Sequence, residues 1–290
     1  MQSEPSDTSV SVIHLIWVPF GLEYFQSFIS SYKAYPAGYP HQLVLLFNGV
    51  DNESVTQPFH QYARQQGLEY TAYYKKDGLD LAAYFWLAPQ LKSDHLLFLN
   101  SYARLLADNW LLKYTSAMKE VPENMGAVCA TGSYQSYYST ILGENSWRWN
   151  EAASFSHNFR KYKLLIKTNL LYRFYFNPFP NPHVRTNAFF INRDVFVSLD
   201  FNGAKTKLKA YLFENGKNSL TNQLLKSGRM VLVVDKHGRF YRIPQWYQSK
   251  TFWAGNQENL LVADNQTMNF IHADAGKRKE LTFKAWGIYE

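Results

Sequence analysis

Val10–Trp17, VSVIHLIW, and Gln42–Phe47, QLVLLF, are two unbroken apolar runs of strand length. Between them, after the turn Pro19-Phe20-Gly21, the residues Leu22, Phe25, Phe28, Ile29 and Tyr32 recur at helical spacing. A run apolar on both faces reads as a buried strand, and one-sided spacing near 3.6 reads as an amphipathic helix. Strand, helix and strand in that order make a βαβ unit, which puts the two strands parallel in one sheet. Working outward, the alternation continues. A helix is predicted over His60–Gln66, a strand over Leu68–Tyr74, a helix over Leu79–Leu91 and a fourth strand, HLLFL, over His95–Leu99. A helix over Trp110–Met118 and a short strand over Gly126–Ala130 follow. The first half is therefore an α/β domain on an open, mostly parallel sheet.

Residues 133–182 change character, with Ser, Tyr, Trp, Asn and Pro in runs such as SYQSYYST and FNPFPNPH around the basic aromatic stretch RKYKLLIKTNLLYRFYF. They read as a loop and helix insertion over one end of the sheet. TNAFFIN at Thr186–Asn192 returns to strand character. A helix is expected from an N-cap at Ser219 to Lys226, closed by Gly228, and then a strand, MVLVVD, at Met230–Asp235. Residues 10–243 are expected as one domain and 244–290 as a polar C-terminal extension packed on it.

Composition narrows the function. The chain has 290 residues and a formal charge of +7. Its single cysteine, Cys129, excludes a disulfide framework and a cysteine-based zinc cluster. The polar, acid-bearing start MQSEPSDTSV is unlike a secretory signal, and no apolar run is of membrane-spanning length, so a cytoplasmic location is expected. Aromatic residues make up 17%, which suits rings or sugars stacked on a surface as well as a heavily aromatic core. The positive charge fits nucleic acid, phosphate-bearing substrates or an anionic membrane face. No phosphate-binding loop, dinucleotide glycine motif, nucleophile elbow or HExxH metal motif occurs. The cations are dispersed without a nucleic-acid-binding signature, so nucleic acid is not an expected partner.

In an open α/β sheet, ligands bind beyond the carboxyl ends of the strands. Three ends carry polar or turn residues directly after apolar strands: Trp17-Val18-Pro19, Phe47-Asn48-Gly49 and Leu99-Asn100-Ser101. Each is explained singly by turn chemistry, and three in register point to a site.

These residues carry a family resemblance. VSVIHLIWVPFGLEYFQSFISSY with HQLVLLFNG resembles the opening of A-type glycosyltransferases of the inverting, family-2-like kind. DGLDLAAYFWLAPQLKSDHLLFLNSYARLLADNWL resembles the central segment of bacterial polysaccharide-synthesis members, including the rhamnan type, and GAVCATGSYQS the strand and loop after it. The resemblance spans about residues 10–240. It implies a nucleotide-sugar donor over the first strand ends, near Pro19, Phe20, Asn48 and Gly49, with Asp77, Gly78 and Asp80 as further nucleotide contacts. Asn100-Ser101-Tyr102 falls on the family's Asp-x-Asp motif, which holds a divalent metal on the diphosphate. Asn100 and Tyr102 stand where that motif has carboxylates, and a hard dication favours charged oxygens. Metal (Mn or Mg) is therefore an open cofactor, no metal ligand is assigned, and Arg104, with Lys75 and Lys76, is an alternative partner for the diphosphate. Asp108 is expected to cap the helix at Trp110.

The same resemblance implies Glu214, in FENGKNSLTNQLLKSG, as the base that takes the acceptor hydroxyl proton, with Asp200 as second candidate. Trp246 and Trp253, with Trp147 and Trp149, are candidates for stacking the acceptor sugar. His272 and Asp274 form an H-x-D pair whose side chains share a face if extended. The implied partners are a nucleotide-sugar and a carbohydrate acceptor, with a peripheral station at the inner membrane face left open. The competing reading is a non-catalytic carbohydrate-binding or scaffold relative that lost the metal motif.

Overall fold

The computed structural model describes residues 9–120, 124–139, 154–201, 203 and 206–288. Strands β1 (Val10–Trp17), β2 (Gln42–Asn48), β3 (Thr71–Lys75) and β4 (His95–Leu99) form where the apolar runs predict them. The short β5 (Arg104–Leu105) precedes β6 (Met125–Cys129), β7 (Gly132–Ser133), β8 (His183–Val184), β9 (Ala188–Asn192), β10 (Met230–Val234), β11 (Phe240–Arg242) and β12 (Val262–Ala263). Eight of these make one sheet in the order β11-β10-β6-β9-β4-β1-β2-β3. β3, β2, β1 and β4 run parallel, β6 and β10 are parallel to each other, and β9 runs against both β4 and β6. β11 adds an antiparallel edge. The open, mostly parallel sheet flanked by helices is the architecture the sequence predicts.

Alternation along β1 splits the core into two layers. Val12 and Ile16 face one layer, and Ile13 and Leu15 face the other. Helices α1 (Leu22–Ala34), α2 (Gln57–Gln65) and α4 (Trp110–Lys119) cover the first layer with Phe25, Phe28, Phe59 and Trp110. The second is covered by α3 (Asp80–Leu87), by α6 (Arg193–Val197) and α7 (Lys207–Asn215), and by α8 (Leu220–Lys226). The long α5 (Phe155–Tyr175) lies in the expected insertion. Ser219 caps α8 by accepting the Asn222 N–H at 3.3 Å, as the sequence predicts.

Two expectations need correcting. Asp108 does not cap α4. The cap position is Asn109, in the left-handed region at φ 54°, and the Asp108 carbonyl instead accepts the Lys113 ammonium. Residues 244–288 are not a polar tail. They hold α9 (Asn265–His272) and α10 (Ala275–Trp286), pair β12 with β5, and bury Trp246, Trp253 and Trp286. The polar residues that suggested exposure sit between these aromatic anchors.

Candidate active site

The carboxyl ends of β1, β2, β4 and β6 open on the same side of the sheet, and because β9 is reversed its start, not its end, arrives there. Backbone bonds lock the junction: the Asn100 N–H donates to the Asn187 carbonyl at 3.0 Å, and the Ala130 N–H to the Ala188 carbonyl at 3.0 Å. Arg185, Thr186 and Asn187 thereby join the strand-end residues expected from the sequence.

At β1, the Trp17 N–H donates to the buried Ser101 hydroxyl at 3.0 Å, tying two predicted strand ends together. Gly49 follows β2 at φ 75°, and a Cβ there would stand 2.9 Å from the Trp17 ring. Only glycine suits that combination of conformation and close approach. Asn48 is fully buried. Its amide donates to the Gly78 carbonyl at 2.9 Å, and its Oδ1 has no partner. That bond fixes the loop leading to Asp80, the first residue of α3. Asp80 is exposed with protein crowded behind it, and desolvation raises its pKa. Asp77 points into solvent with a loose 3.5 Å ion pair to Lys75, and Lys76 pairs with Asp51 at 3.1 Å.

Phe20, Tyr24 and Tyr102 form an open aromatic cluster beside these ends, with ring centroids 4.8–5.5 Å apart. Tyr102, Arg104, Asp264 and His272 line an adjoining cavity of about 350 Å³. His272 ends α9, whereas Asp274 caps α10 by accepting the Lys277 N–H, so the H-x-D pair divides between two helices.

Glu214 stands in the last turn of α7, before the turn that leads to Ser219 and α8. A helix C-terminus carries the negative end of the dipole, so this placement disfavours a carboxylate instead of stabilising it. The Thr186 N–H and hydroxyl donate to Glu214 Oε1 at 3.3 and 3.4 Å. Burial pushes the Glu214 pKa up. Arg185 and the Thr186 hydrogen bonds pull it back, and the charge of Asp80 adds a further push upward. Burial and, after it, the Glu214 charge raise the Tyr137 pKa and hold its phenol protonated. Asp200 lies apart. It is exposed and accepts from the Asn218 amide at 3.1 Å.

Arg185 was not singled out in the sequence and is central here. It pairs with the buried Asp264 at 3.0 Å and stacks on Phe252 at 4.2 Å, yet its Nη1 is buried without a hydrogen-bond partner. Asn187 accepts from the Thr131 hydroxyl at 2.8 Å while its own Nδ2 is equally unpartnered. Buried polar groups in folded proteins are nearly always paired, so these two donors and the Asn48 acceptor are exceptions at the carboxyl end of the sheet. The signal available in the sequence was slight: Arg185-Thr186-Asn187 directly precede an apolar strand, and Asp264 opens a capping box with Thr267.

The donor set does not suit a divalent ion. The Asn100 Oδ1 already accepts the Tyr102 N–H at 3.1 Å, burial holds the Tyr102 phenol protonated, and the Asp264 charge is matched by Arg185. Among the described residues, no group of three or more His, Cys, Asp or Glu is arranged to hold a metal.

Trp246 is fully buried, its indole N–H donating to the Tyr241 carbonyl at 3.2 Å, and Trp253 is buried beside Phe252. Neither presents a ring face to solvent for stacking. Trp147 and Trp149 lie outside the described residues.

Compared with protein-family models and with curated proteins, the sequence matches none. Among solved structures it is similar to several glycosyltransferases. One is the mannosyltransferase PcManGT from Pyrobaculum calidifontis in complex with GDP-Man and Mn2+, at 14% identity over 44% of this chain and 39% of that one, with a TM-score of 0.33. Another is S. aureus TarS 1-349 in complex with UDP-GlcNAc, at 14% identity over 42% of this chain and 34% of that one, TM-score 0.31. A third is GalNAc-T7 with UDP, GalNAc and Mn2+, at 13% identity over 96% of this chain and 52% of that one, TM-score 0.48. The chain spans less than two thirds of the length of each of the three. No described helix is long and apolar enough to cross a membrane.

Proposed function

We propose that this chain transfers a sugar from a nucleotide-sugar donor to a hydroxyl of a saccharide acceptor, with inversion, as a family-2-like enzyme of polysaccharide biosynthesis in the cytoplasm. One observation carries the proposal: a desolvated carboxylate, Glu214, is held at the ligand-binding end of the sheet against its own helix dipole, facing the unsatisfied donor Arg185. A merely structural carboxylate gains nothing from that placement.

In this mechanism the donor lies over the first strand ends. Asn48, Gly49, Gly78 and Asp80 border its base and ribose, and Pro19 and Phe20 border its other face. Arg185 Nη1, Asn187 Nδ2 and Arg104 meet the diphosphate, since charge-assisted bonds from guanidinium suit phosphate oxygens. Glu214 accepts the acceptor's hydroxyl proton as that oxygen attacks the anomeric carbon from the face opposite the diphosphate. The carbon–oxygen bond to the diphosphate breaks, and the nucleoside diphosphate leaves with the electron pair. The Thr186 hydroxyl orients the carboxylate. We assign residues 10–243 to this chemistry and 244–290 to its support through the Asp264–Arg185 pair.

Thermal melts in the presence of UDP-, GDP-, CMP- and dTDP-sugars test the donor class, because a ligand bound only by the folded chain must raise its stability. One sugar nucleotide should raise Tm, with little dependence on EDTA. If none does, the donor site is misassigned. A large loss of the shift on chelation would refute the metal-independent diphosphate contacts. The anomeric configuration of the product, read by NMR, tests inversion. The second reading, a non-catalytic carbohydrate-binding relative, is favoured by Asn100 and Tyr102 at the metal motif. It predicts donor or glycan binding without any turnover.

A further inference from the structure

Helix α5 is the largest feature that the transfer chemistry leaves unused. It runs for 21 residues from the Ser154 cap, and Asn158 is its only buried residue. At about 1.5 Å per residue it is a rod of roughly 30 Å. Large apolar side chains crowd its outer surface: Phe155 is 73% exposed, Phe159 60%, Ile166 53% and Leu170 54%. Their spacing of 0, 4, 11 and 15 residues places all four in one stripe along the helix. Leu164 and Leu171 make a second exposed stripe. Between the two stand Arg160, Lys163 and Lys167, all exposed. Residues 155–175 contain no Asp or Glu.

A helix facing water would place polar groups on that surface, and one packed in the fold would bury the apolar ones. Cations rooted between two apolar stripes suit a third environment, the boundary of an anionic bilayer. There the rings and branched chains enter the acyl layer while the Lys and Arg stems reach back to phosphate. The helix is too polar to span a membrane. Its C-terminal end borders an apolar groove of about 560 Å³ lined by Leu171, Phe174, Leu208 and Leu212, with Lys209 and Lys217 adding positive charge and Asp200 the one acid. We propose that α5 docks the protein on anionic phospholipid, lying in the plane of the interface with its Phe159–Ile166 stripe inserted. The proposal is independent of the transfer reaction, and its test does not read activity.

The full chain is sedimented with vesicles of two parts phosphatidylcholine to one part phosphatidylglycerol, and with phosphatidylcholine alone. Strong partition to the mixed vesicles at low salt, and little to the neutral ones, is expected. Lys163→Gln with Lys167→Gln should weaken partition about thirty-fold, from about 1 kcal/mol per surface cation. Phe159→Ser with Ile166→Ser should abolish it. All four side chains are exposed, so thermal melts of the variants should match the parent. No partition at low salt, equal partition to neutral vesicles, or parental partition by either variant overturns the proposal. A dimer in sedimentation equilibrium that Phe159→Ser with Ile166→Ser dissociates, in a chain that ignores vesicles, overturns it in favour of a second copy as the partner.

Discussion

The two ends of the sheet are built differently. At the amino end, Asp94 accepts the Ser9 N–H and hydroxyl at 2.9 and 2.8 Å, the Ser11 and Ser93 hydroxyls meet at 2.8 Å, and the Arg193 N–H closes on the Asp94 carbonyl at 2.8 Å. A cavity of about 380 Å³ lies there too. Its lining holds one unpartnered polar atom, His95 Nδ1, and no carboxylate. At the carboxyl end, polar atoms of Asn48, Arg185 and Asn187 are buried without a partner, and Thr186 holds Glu214. The cavity at the amino end carries one such atom, and the carboxyl end carries several. Cavity volume alone would not separate the two ends, at about 380 and 350 Å³.

Substitutions can break that contrast. The largest effect is expected at Glu214→Gln, which keeps shape and removes the base. Turnover should fall by about 10²–10⁴-fold with donor affinity nearly unchanged. Because burial raises the Glu214 pKa, the parent's activity should decline toward acid at a higher pH than an ordinary carboxylate dictates. The stability sign is opposite. A carboxyl whose folded pKa is raised stabilises the fold only while protonated and loses that contribution as pH rises, so Glu214→Gln should raise Tm at neutral pH. Turnover at the parental rate would move the search for a base to Asp200.

Next is Arg185→Met, which leaves Asp264 buried without its cation. Loss of a buried partner costs about 3–5 kcal/mol, measurable by urea unfolding. Loss below about 1 kcal/mol would mean that Asp264 is not desolvated in solution.

The middle of the sheet supplies a control tied to neither end. His14 is fully buried, stacked on Phe28 at 3.7 Å, with both ring nitrogens unpartnered and its pKa lowered to about 3 by desolvation. The unfolded chain takes up its proton first, so stability should fall by about 1.4 kcal/mol per pH unit on going from about 6 toward 3. His183, lowered to about 4, adds a loss of the same sign. His14→Phe should flatten the His14 share. An unchanged acid profile would show that His14 is not the group responsible.

The smallest effects separate the ends most sharply. Asn187→Leu removes an unpaired donor and should weaken donor binding by about 1.5–3 kcal/mol, read by calorimetry. Ser11→Ala at the amino end should cost about 1 kcal/mol of stability and leave donor binding alone. If the two variants exchanged these signatures, the assignment of ends would be inverted.

Much of the fold was legible because its strands are apolar on both faces. VSVIHLIW and HLLFL were placed to the residue, since each stops at a polar or turn group. The edge strand β11, with an exposed, polar-interrupted FYR, gave no such contrast. Of the candidate site, only the placement of Asn48, Gly49, Asn100 and Ser101 at the ends of strands could be read from register alone. Arg185 and Asn187 could not, because what marks them is a buried atom without a partner. An unpaired atom is a property of three dimensions that leaves no spacing in a sequence. The tryptophans misled for a related reason. Polar neighbours along the chain say little about a ring that packs against Gly132, where even a Cβ would come within 2.5 Å of it.

The small pairing of β7 with β8 joins Gly132 to Val184 and Ser133 to His183. It brings the chain that has left β6 and the chain about to enter β9 side by side, about fifty residues apart in sequence. The closure cost of such a loop rises only slowly with length. Length is not the constraint; attachment is, since the Tyr134 N–H donates to the Ala285 carbonyl at 2.9 Å, the Asn181 amide to Asn215 Oδ1 at 2.9 Å, and Phe176 is buried. Any exchange of the loop would therefore have to keep the pins that Tyr134, Asn181 and Phe176 drive into the body of the protein.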